Sequence, residues 1–154
     1  KKNPKTYTSA KKVVLKKPTR KGYAFKGWYT DRKCTKKITS IKKGSKKNYT
    51  IYAKWSKVKV KKTTGLKVMN TKGKNLVVRY SKVSGAKGYQ ITYATNSKFT
   101  KGKKVVNTTK RTKTIQKLKK GKTYYVRVRA YKKDSTGRKV YGKYSTVKKI
   151  KITK

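Results

Sequence analysis

A strict alternation of side chains over residues 124–131, YYVRVRAY, most constrains how this chain can fold. Period two in Val and Tyr predicts a β-strand with one buried face. Gly121 lies just before this stretch and predicts a tight turn leading into the strand. The predicted inner face carries Tyr124, Val126, Val128 and Ala130, and the outer face carries Tyr125, Arg127, Arg129 and Tyr131.

Shorter apolar segments with the same period fill the rest of the chain after Gly65. Seven short strands in about 90 residues, separated by turn residues, predict a β-sandwich. The expected inward residues are Leu66, Val68, Leu76, Val78, Tyr80, Tyr89, Ile91, Tyr93, Ile115 and Leu118. Phe99, Val105 and Val106 are assigned to a further hairpin, and Tyr144, Val147, Ile150 and Ile152 to the last strand.

Two motifs of this half resemble the fibronectin type III domains of bacterial surface proteins. They are VSGAKGYQITY, residues 83–93, and LKKGKTYYVRVRAY, residues 118–131. The resemblance implies a tyrosine corner in which the Tyr124 hydroxyl bonds to upstream backbone. An ordinary hairpin turn before an edge strand is the alternative. Tyr80 stands where the family usually has a buried Trp, so its hydroxyl needs a partner.

The first third of the chain carries a different pair of aromatic motifs. PTRKGYAFKGWY, residues 18–29, and YAKW, residues 52–55, resemble the Listeria–Bacteroides repeat. The resemblance covers about residues 2–55 and implies a small β-grasp-like module. The family's opening strand has no counterpart here, so we expect either a module truncated at its first strand or a sheet edge left unpaired. Ile38 and Ile41 are three residues apart, which favours one helical turn.

These patterns predict a mainly β chain with two modules. The Listeria–Bacteroides repeat-like module spans residues 1–55 and the fibronectin type III-like domain, an immunoglobulin-like sandwich, spans residues 65–154. Residues 56–64 are charged and lack Gly and Pro, so we expect an extended linker without core residues. The chain starts without Met and without a signal peptide, so we expect a piece of a longer protein.

Residue types argue against catalysis and against a metal or cofactor. The chain has no His, so imidazole acid–base chemistry is excluded. Asp31 and Asp134 are its only side-chain carboxylates and fall in different predicted domains. With Cys34 as the single cysteine, no three-ligand metal site is expected. Cys34 could be a reactive thiol, but an incidental loop residue is the favoured interpretation.

Charge is the strongest functional signal, with 51 Lys and Arg against 2 acidic residues and a net charge of +49. Such a chain attracts polyanions in a salt-dependent way. The candidates are wall teichoic acids, glycans and nucleic acid. Because lysines occur throughout both halves, we expect diffuse binding rather than a single site. The alternative is a dedicated site on the outward strip of Tyr125, Arg127, Arg129 and Tyr131.

The sequence therefore predicts a non-catalytic spacer and adhesion fragment of a Gram-positive surface or secreted protein. Its expected location is extracellular, either on the cell surface or secreted, and a host or cell-wall surface is a candidate partner. The alternative function is a dedicated module for binding nucleic acid or anionic glycans. No apolar run is long enough for a transmembrane helix.

Overall fold

A computed structural model describes residues 2–154, and their regular secondary structure is thirteen β-strands. The chain forms two compact units. Unit 1 comprises Lys1–Val58 together with Lys133–Arg138, and unit 2 comprises Lys59–Lys132 together with Lys139–Lys154. The mainly β fold class predicted from the sequence is confirmed.

Unit 1 is built on a three-stranded antiparallel sheet with the order β3-β2-β5, and a separate two-stranded ladder pairs β1 with β4. A bulge interrupts β2 between Phe25 and Gly27. Gly27 has φ 140°, which suits glycine, and a Cβ there would come within 2.9 Å of the Lys37 side chain. The strands are β1 (Val13–Val14), β2 (Tyr23–Tyr29), β3 (Lys37–Ile38), β4 (Ser40–Ile41) and β5 (Tyr52–Lys57).

Few apolar side chains are buried in unit 1. Between residues 2 and 58 these are Leu15 and Ile41. Phe25 makes edge contacts with Trp28 and Trp55, at ring-centroid distances of 5.5 and 5.4 Å, yet all three rings stay half-exposed. The core of this unit is therefore thin, and half-covered aromatic rings make up much of it.

The helical turn expected around Ile38 and Ile41 is wrong. Both residues lie in short strands, β3 and β4, and no helix occurs in residues 2–154. Ile41 pairs with Val13, and the Thr39 carbonyl accepts the Leu15 amide at 3.0 Å. Backbone partners from the neighbouring segment therefore replace the local bonds that a helical turn would need.

Unit 2 is a sandwich of two antiparallel sheets. One has the order β10-β7-β6. The other has five strands in the order β12-β11-β8-β9, with β13 also paired to β11. The strands are β6 (Lys67–Thr71), β7 (Asn75–Arg79), β8 (Gly88–Ala94), β9 (Lys104–Thr108), β10 (Thr112–Ile115), β11 (Thr123–Lys133), β12 (Lys139–Tyr141) and β13 (Lys148–Lys151).

The inner faces of the two sheets enclose the core of unit 2. The predicted alternation on β11 is confirmed, since Val126, Val128 and Ala130 have no exposed area and Tyr124 is buried. Val105 and Val147 are exposed instead, at 46% and 44%. The assignment of Tyr144 and Val147 to the last strand is wrong, because both precede β13. The core cluster contains Leu66, Leu76, Val78, Tyr80, Val83, Tyr89, Ile91, Tyr93, Ile115, Leu118, Tyr124, Val126, Val128, Ala130 and Ile152.

Two buried tyrosine hydroxyls find the backbone partners that the sequence required. The Tyr124 hydroxyl accepts the Lys119 amide at 3.2 Å, as expected for a tyrosine corner. The Tyr80 hydroxyl donates to the Lys110 carbonyl at 2.8 Å. Burial raises the pKa of Tyr80, which keeps this hydroxyl protonated.

Tyr124→Phe removes only the hydroxyl of the corner. We expect the free energy of unfolding of unit 2 to fall by about 1 kcal/mol, because the Lys119 amide loses its partner. Chemical denaturation followed by the far-ultraviolet signal measures this change. Identical midpoints for the variant and the parent would show that the bond does not stabilise the fold.

The segment predicted as a linker contributes to unit 2. Thr63 is 1% exposed, and its hydroxyl accepts the Ala130 amide at 2.9 Å. Val60 packs against the core cluster. The expectation that residues 56–64 supply no core residue is therefore wrong. Val60 packs on the core, and the Thr63 hydroxyl accepts a β11 amide that has no strand partner there.

Residues 2–154 contain no apolar helix of membrane-spanning length.

Candidate functional site

The predicted ligand strip lies on the outer face of the five-stranded sheet of unit 2. Tyr125, Arg127 and Arg129 project from β11 and are half-buried. Directly opposite them on β8 stand small or polar residues, including Thr92 and Gln90. Because these β8 residues are small or polar, the long arginine side chains have room to lie across the sheet.

Both arginines stack between aromatic rings and form a five-residue ladder. The Arg127 guanidinium carbon lies 4.0 Å from the Phe99 ring centroid and 4.1 Å from that of Tyr144. The Arg129 guanidinium carbon lies 4.6 Å from Tyr144 and 3.9 Å from Tyr141. We call Phe99, Arg127, Tyr144, Arg129 and Tyr141, in that order, the ladder.

Strand geometry explains why this arrangement fits. Residues i and i+2 of a strand share a face and are about 7 Å apart. One aromatic ring between two guanidiniums needs about 3.5–4 Å on each side. The spacing of Arg127 and Arg129 therefore accepts the Tyr144 ring between them, and each stack gains from the attraction of a cation to a ring face.

Gln90, on the neighbouring strand β8, holds two members of the ladder through hydrogen bonds. Its Oε1 accepts the Arg129 Nε–H at 2.9 Å, and its Nε2 donates to the Tyr141 hydroxyl at 3.3 Å. The Tyr144 hydroxyl makes longer contacts of 3.4 Å to Gln90 and to Thr92. The Arg127 Nε is buried, and no described residue accepts its proton.

Tyr131 lies at the end of this face, but its predicted exposure is wrong. It is 8% exposed, because its ring meets Tyr141 edge-on at 5.8 Å and Lys139 lies 4.7 Å above it. Gly88 makes this position possible, since a Cβ there would stand 2.5 Å from the Tyr131 hydroxyl. Tyr125 stays half-exposed beside Lys149, its partner on β13.

Sequence reasoning missed the three aromatic members of the ladder. Tyr141 and Tyr144 are three residues apart, so they do not follow period two. Tyr141 ends β12, whereas Tyr144 lies in the connection of residues 142–147 that leads to β13. Phe99 follows a turn and has φ 57°, which no alternation predicts. The one signal in the sequence was the Arg-Val-Arg pattern. It places Arg127 and Arg129 on the same face of the strand, with space for one aromatic ring between the two guanidinium groups.

Both carboxylates lie in unit 1, although the sequence placed Asp31 and Asp134 in different domains. Each accepts hydrogen bonds from backbone amides. Asp134 accepts the amides of Gly22, Thr136 and Arg138 at 2.8, 2.9 and 3.1 Å. These bonds, that of Gly22 first, lower the pKa of Asp134 from 3.8 to about 2. No cluster of three metal-ligating side chains occurs within residues 2–154.

Asp31 has a similar role in its own turn. It accepts the amides of Thr35 and Lys36, and the Asp31 Oδ1 to Lys36 amide distance is 2.6 Å. These bonds lower the pKa of Asp31. Both carboxylates therefore stabilise the folded state in their ionised form.

Acid should destabilise unit 1 for this reason. A carboxyl group with a lowered pKa stabilises the fold above its unfolded pKa of 3.8, and this contribution is lost as the pH falls through the folded value of about 2. We expect the melting temperature of unit 1 to fall steadily between about pH 4 and pH 2. Both tryptophans lie in unit 1, so tryptophan fluorescence reports its melting.

Asp134→Asn is the matched variant for this experiment. At pH 7 it should already lower the melting temperature of unit 1, and its further loss at acid pH should be smaller than that of the parent chain. A parent melting temperature that stays constant between pH 4 and pH 2 would contradict the role given to the carboxylates.

Two family profiles match the chain in succession. The Listeria–Bacteroides repeat domain matches residues 1–54, and the fibronectin type III domain matches residues 59–143. The first match confirms the resemblance of the aromatic motifs. Both families are typical of extracellular or surface proteins and of non-catalytic modules. No curated protein matches the chain as a whole.

Solved structures of similar fold include fibronectin type III domains. The chicken CNTN1 FN1–FN3 domains are 21% identical, with a TM-score of 0.52 over 68% of this chain and 35% of that chain. The sixth fibronectin type III domain of human fibronectin type III domain containing protein 3 is 14% identical, with a TM-score of 0.50 over 64% of this chain and 90% of that one.

A bacterial structure is also similar. A Fn3-like protein from Clostridium thermocellum is 23% identical, with a TM-score of 0.48 over 60% of this chain and 92% of that chain. The fibronectin type III profile covers residues 59–143, more than half of the 154 residues, and the two-sheet sandwich and the tyrosine corner are present in unit 2. The chain belongs to the fibronectin type III domain family.

Proposed function

We propose that this chain is a non-catalytic spacer and adhesion fragment of a Gram-positive cell-surface or secreted protein. It acts outside the cell and retains anionic polymers by diffuse electrostatic attraction. The polymers it would meet there are teichoic acids, anionic glycans and released nucleic acid. Its two module families support the extracellular setting.

The distribution of charge carries this proposal. Exposed lysines occur in both units, for example Lys42 and Lys43 in unit 1 and Lys119 and Lys120 in unit 2. Two side-chain carboxylates face 51 Lys and Arg residues, so most of the positive charge is uncompensated. A surface of this kind attracts any polyanion, with an affinity that salt weakens steeply.

Binding measured against salt tests this proposal. Duplex DNA, heparin and teichoic acid should all bind, and the logarithm of affinity should fall linearly with the logarithm of salt concentration, with a slope of about −0.9 per DNA phosphate contacted. Lys42→Ser/Lys43→Ser and Lys119→Ser/Lys120→Ser should weaken duplex DNA binding by similar factors. Affinity independent of salt, or one lysine pair that accounts for all binding, would contradict diffuse attraction.

A dedicated polyanion-binding module is the second candidate, and the ladder favours it. Surface lysines are mobile point charges, whereas Arg127 and Arg129 are held between rings. Fixed guanidiniums offer an oriented contact that the lysine surface lacks.

A further inference from the structure

We propose that the ladder is an oriented site for the sulfate or phosphate groups of an anionic saccharide or polyol polymer. Arg127 and Arg129 would bind two successive oxoanions of one polymer chain. The inference rests on the proposed function, because the diffuse attraction of the whole surface brings the polymer to this face. The ladder then gives the bound chain a defined position.

The stacking leaves the guanidinium edges as the part that a ligand can reach. Each guanidinium carbon lies over two aromatic rings, at 3.9–4.6 Å. Both side chains remain partly exposed, and no terminal nitrogen of either arginine is among the buried, unpartnered atoms of the described residues, so these nitrogens are the part left open to a ligand. An arginine edge with two parallel N–H groups matches a sulfate or phosphate in a bidentate manner.

The side chains are already ordered before a ligand arrives. Arg129 is held by two rings and by the Gln90 amide oxygen at 2.9 Å, and Arg127 by Phe99 and Tyr144. Immobilising a long side chain on binding lowers its conformational entropy. Arg127 and Arg129 have already lost this freedom on folding. A lysine on the same surface would still lose its rotamer freedom.

The electrostatic surroundings favour an anion. Asp31 and Asp134, the only side-chain carboxylates of the chain, accept backbone amides in unit 1 and are no part of the ladder. Lys149 stands opposite Tyr125 on the same sheet face, and Lys139 lies over Tyr131. The face therefore carries several cations and no side-chain anion.

The geometry of the rings favours a polymer without bases. Single-strand binders use exposed aromatic faces on which bases stack. Two guanidinium carbons lie over the Tyr144 ring, and one lies over each of the Phe99 and Tyr141 rings. Of the two tyrosines in the strip that the sequence suggested, Tyr131 is buried and Tyr125 is half-buried, so no continuous stacking platform is available. Oxoanions on a saccharide or polyol backbone need no such platform.

Charge-conserving substitutions test the site in the full chain. Arg127→Lys/Arg129→Lys keeps the net charge but removes the bidentate edges. Arg79→Lys/Arg111→Lys makes the same change at two exposed residues of unit 2 outside the ladder. The probes are a heparin hexasaccharide, a glycerol phosphate oligomer of equal charge and a single-stranded oligothymidylate of equal charge. Calorimetric titration at about 50 and 300 mM NaCl gives the affinities, a range over which diffuse binding weakens strongly.

We expect the ladder variant to bind the hexasaccharide and the glycerol phosphate oligomer about tenfold more weakly at the higher salt, as for loss of an oriented charged pair. The control variant should match the parent. Equal affinities for both variants and the parent would overturn the site and leave the proposed function intact. Failure of the parent to bind any probe at low salt would instead overturn the proposed function.

The three probes also identify the polymer. Loss of affinity for the hexasaccharide alone assigns sulfated glycans, and loss for the glycerol phosphate oligomer alone assigns polyol phosphates. Tighter binding of the oligothymidylate, lost in the ladder variant, would overturn the saccharide or polyol assignment in favour of nucleic acid.

A measurement on the parent chain guards against misfolding of the variant. The side-chain Nε–H signals of Arg127 and Arg129 should shift on titration with the hexasaccharide at the higher salt, and those of Arg79 and Arg111 should not. Uniform shifts of all four signals would overturn the site, whatever the stability of the lysine variant.

Discussion

Scanning calorimetry of the chain should show two unfolding transitions, with unit 1 melting at least about 10 °C below unit 2. The buried apolar side chains of unit 1 within residues 2–58 are Leu15 and Ile41, whereas unit 2 encloses a cluster of fifteen core residues. Stability from apolar burial grows with the area removed from water, and a few kcal/mol move the melting of a domain of this size by more than 10 °C. Tryptophan fluorescence should follow the first transition alone.

The same substitution in each unit assigns the transitions. Leu76 has no exposed area, and Leu76→Ala should lower the free energy of unfolding of unit 2 by about 3 kcal/mol, since it leaves a cavity in a packed core. The second transition should shift and the first should not. Leu15→Ala should shift the first transition and leave the second unchanged. A single transition that both variants shift equally would contradict independent unfolding of the two units.

Tyr144→Leu should destabilise unit 2 by about 2 kcal/mol. The Tyr144 ring lies between Arg127 and Arg129, at 4.1 and 4.6 Å, so its loss removes two cation–ring contacts at once. Each such contact contributes about 0.5–1 kcal/mol when exposed and about 2 when desolvated. Leucine keeps much of the apolar area, which isolates the contribution of the ring.

Tyr144→Phe is the control for this prediction. It keeps the ring and removes a hydroxyl whose contacts are 3.4 Å long, so we expect a change within about 0.5 kcal/mol. Urea denaturation of both variants gives the comparison. Equal losses for the leucine and phenylalanine variants would show that the hydroxyl, and not the stacking, stabilises this face.

The sandwich was predictable because its core follows period two. On β11 the inward residues, such as Val126 and Val128, alternate with outward arginines, and a one-residue change of register would bury charge. The corner at Tyr124 was predictable for a related reason. Its hydroxyl needs a backbone partner within reach, and the turn at Gly121 brings the Lys119 amide there.

The ladder was not predictable in full, because its rings come from parts of the chain without periodicity. Phe99 reaches Arg127 from a turn with a left-handed backbone, and Tyr144 arrives from the break between β12 and β13. Alternation places Arg127 and Arg129 on one face, but it does not say what lies between them. Only the tertiary arrangement of strands supplies the rings.

In unit 1 the predicted helical turn is replaced by strands, because backbone hydrogen bonds to a distant segment determine the structure there. The spacing of Ile38 and Ile41 suits a helical turn, yet Val13 and Leu15 offer strand bonds that the local sequence cannot reveal. Thr63 departs in the same way in unit 2. Its hydroxyl accepts a hydrogen bond from the Ala130 amide of β11, which is far away in sequence.

The order parameters of the arginine side chains test the central claim most directly, which is that the ladder holds Arg127 and Arg129 in fixed positions. Nitrogen-15 relaxation at Nε of the unliganded chain measures this motion. We expect values above about 0.8 for Arg127 and Arg129, comparable to rigid backbone, and below about 0.6 for the exposed Arg79 and Arg111. Values below about 0.6 for all four would contradict the ladder and with it the oriented anion site.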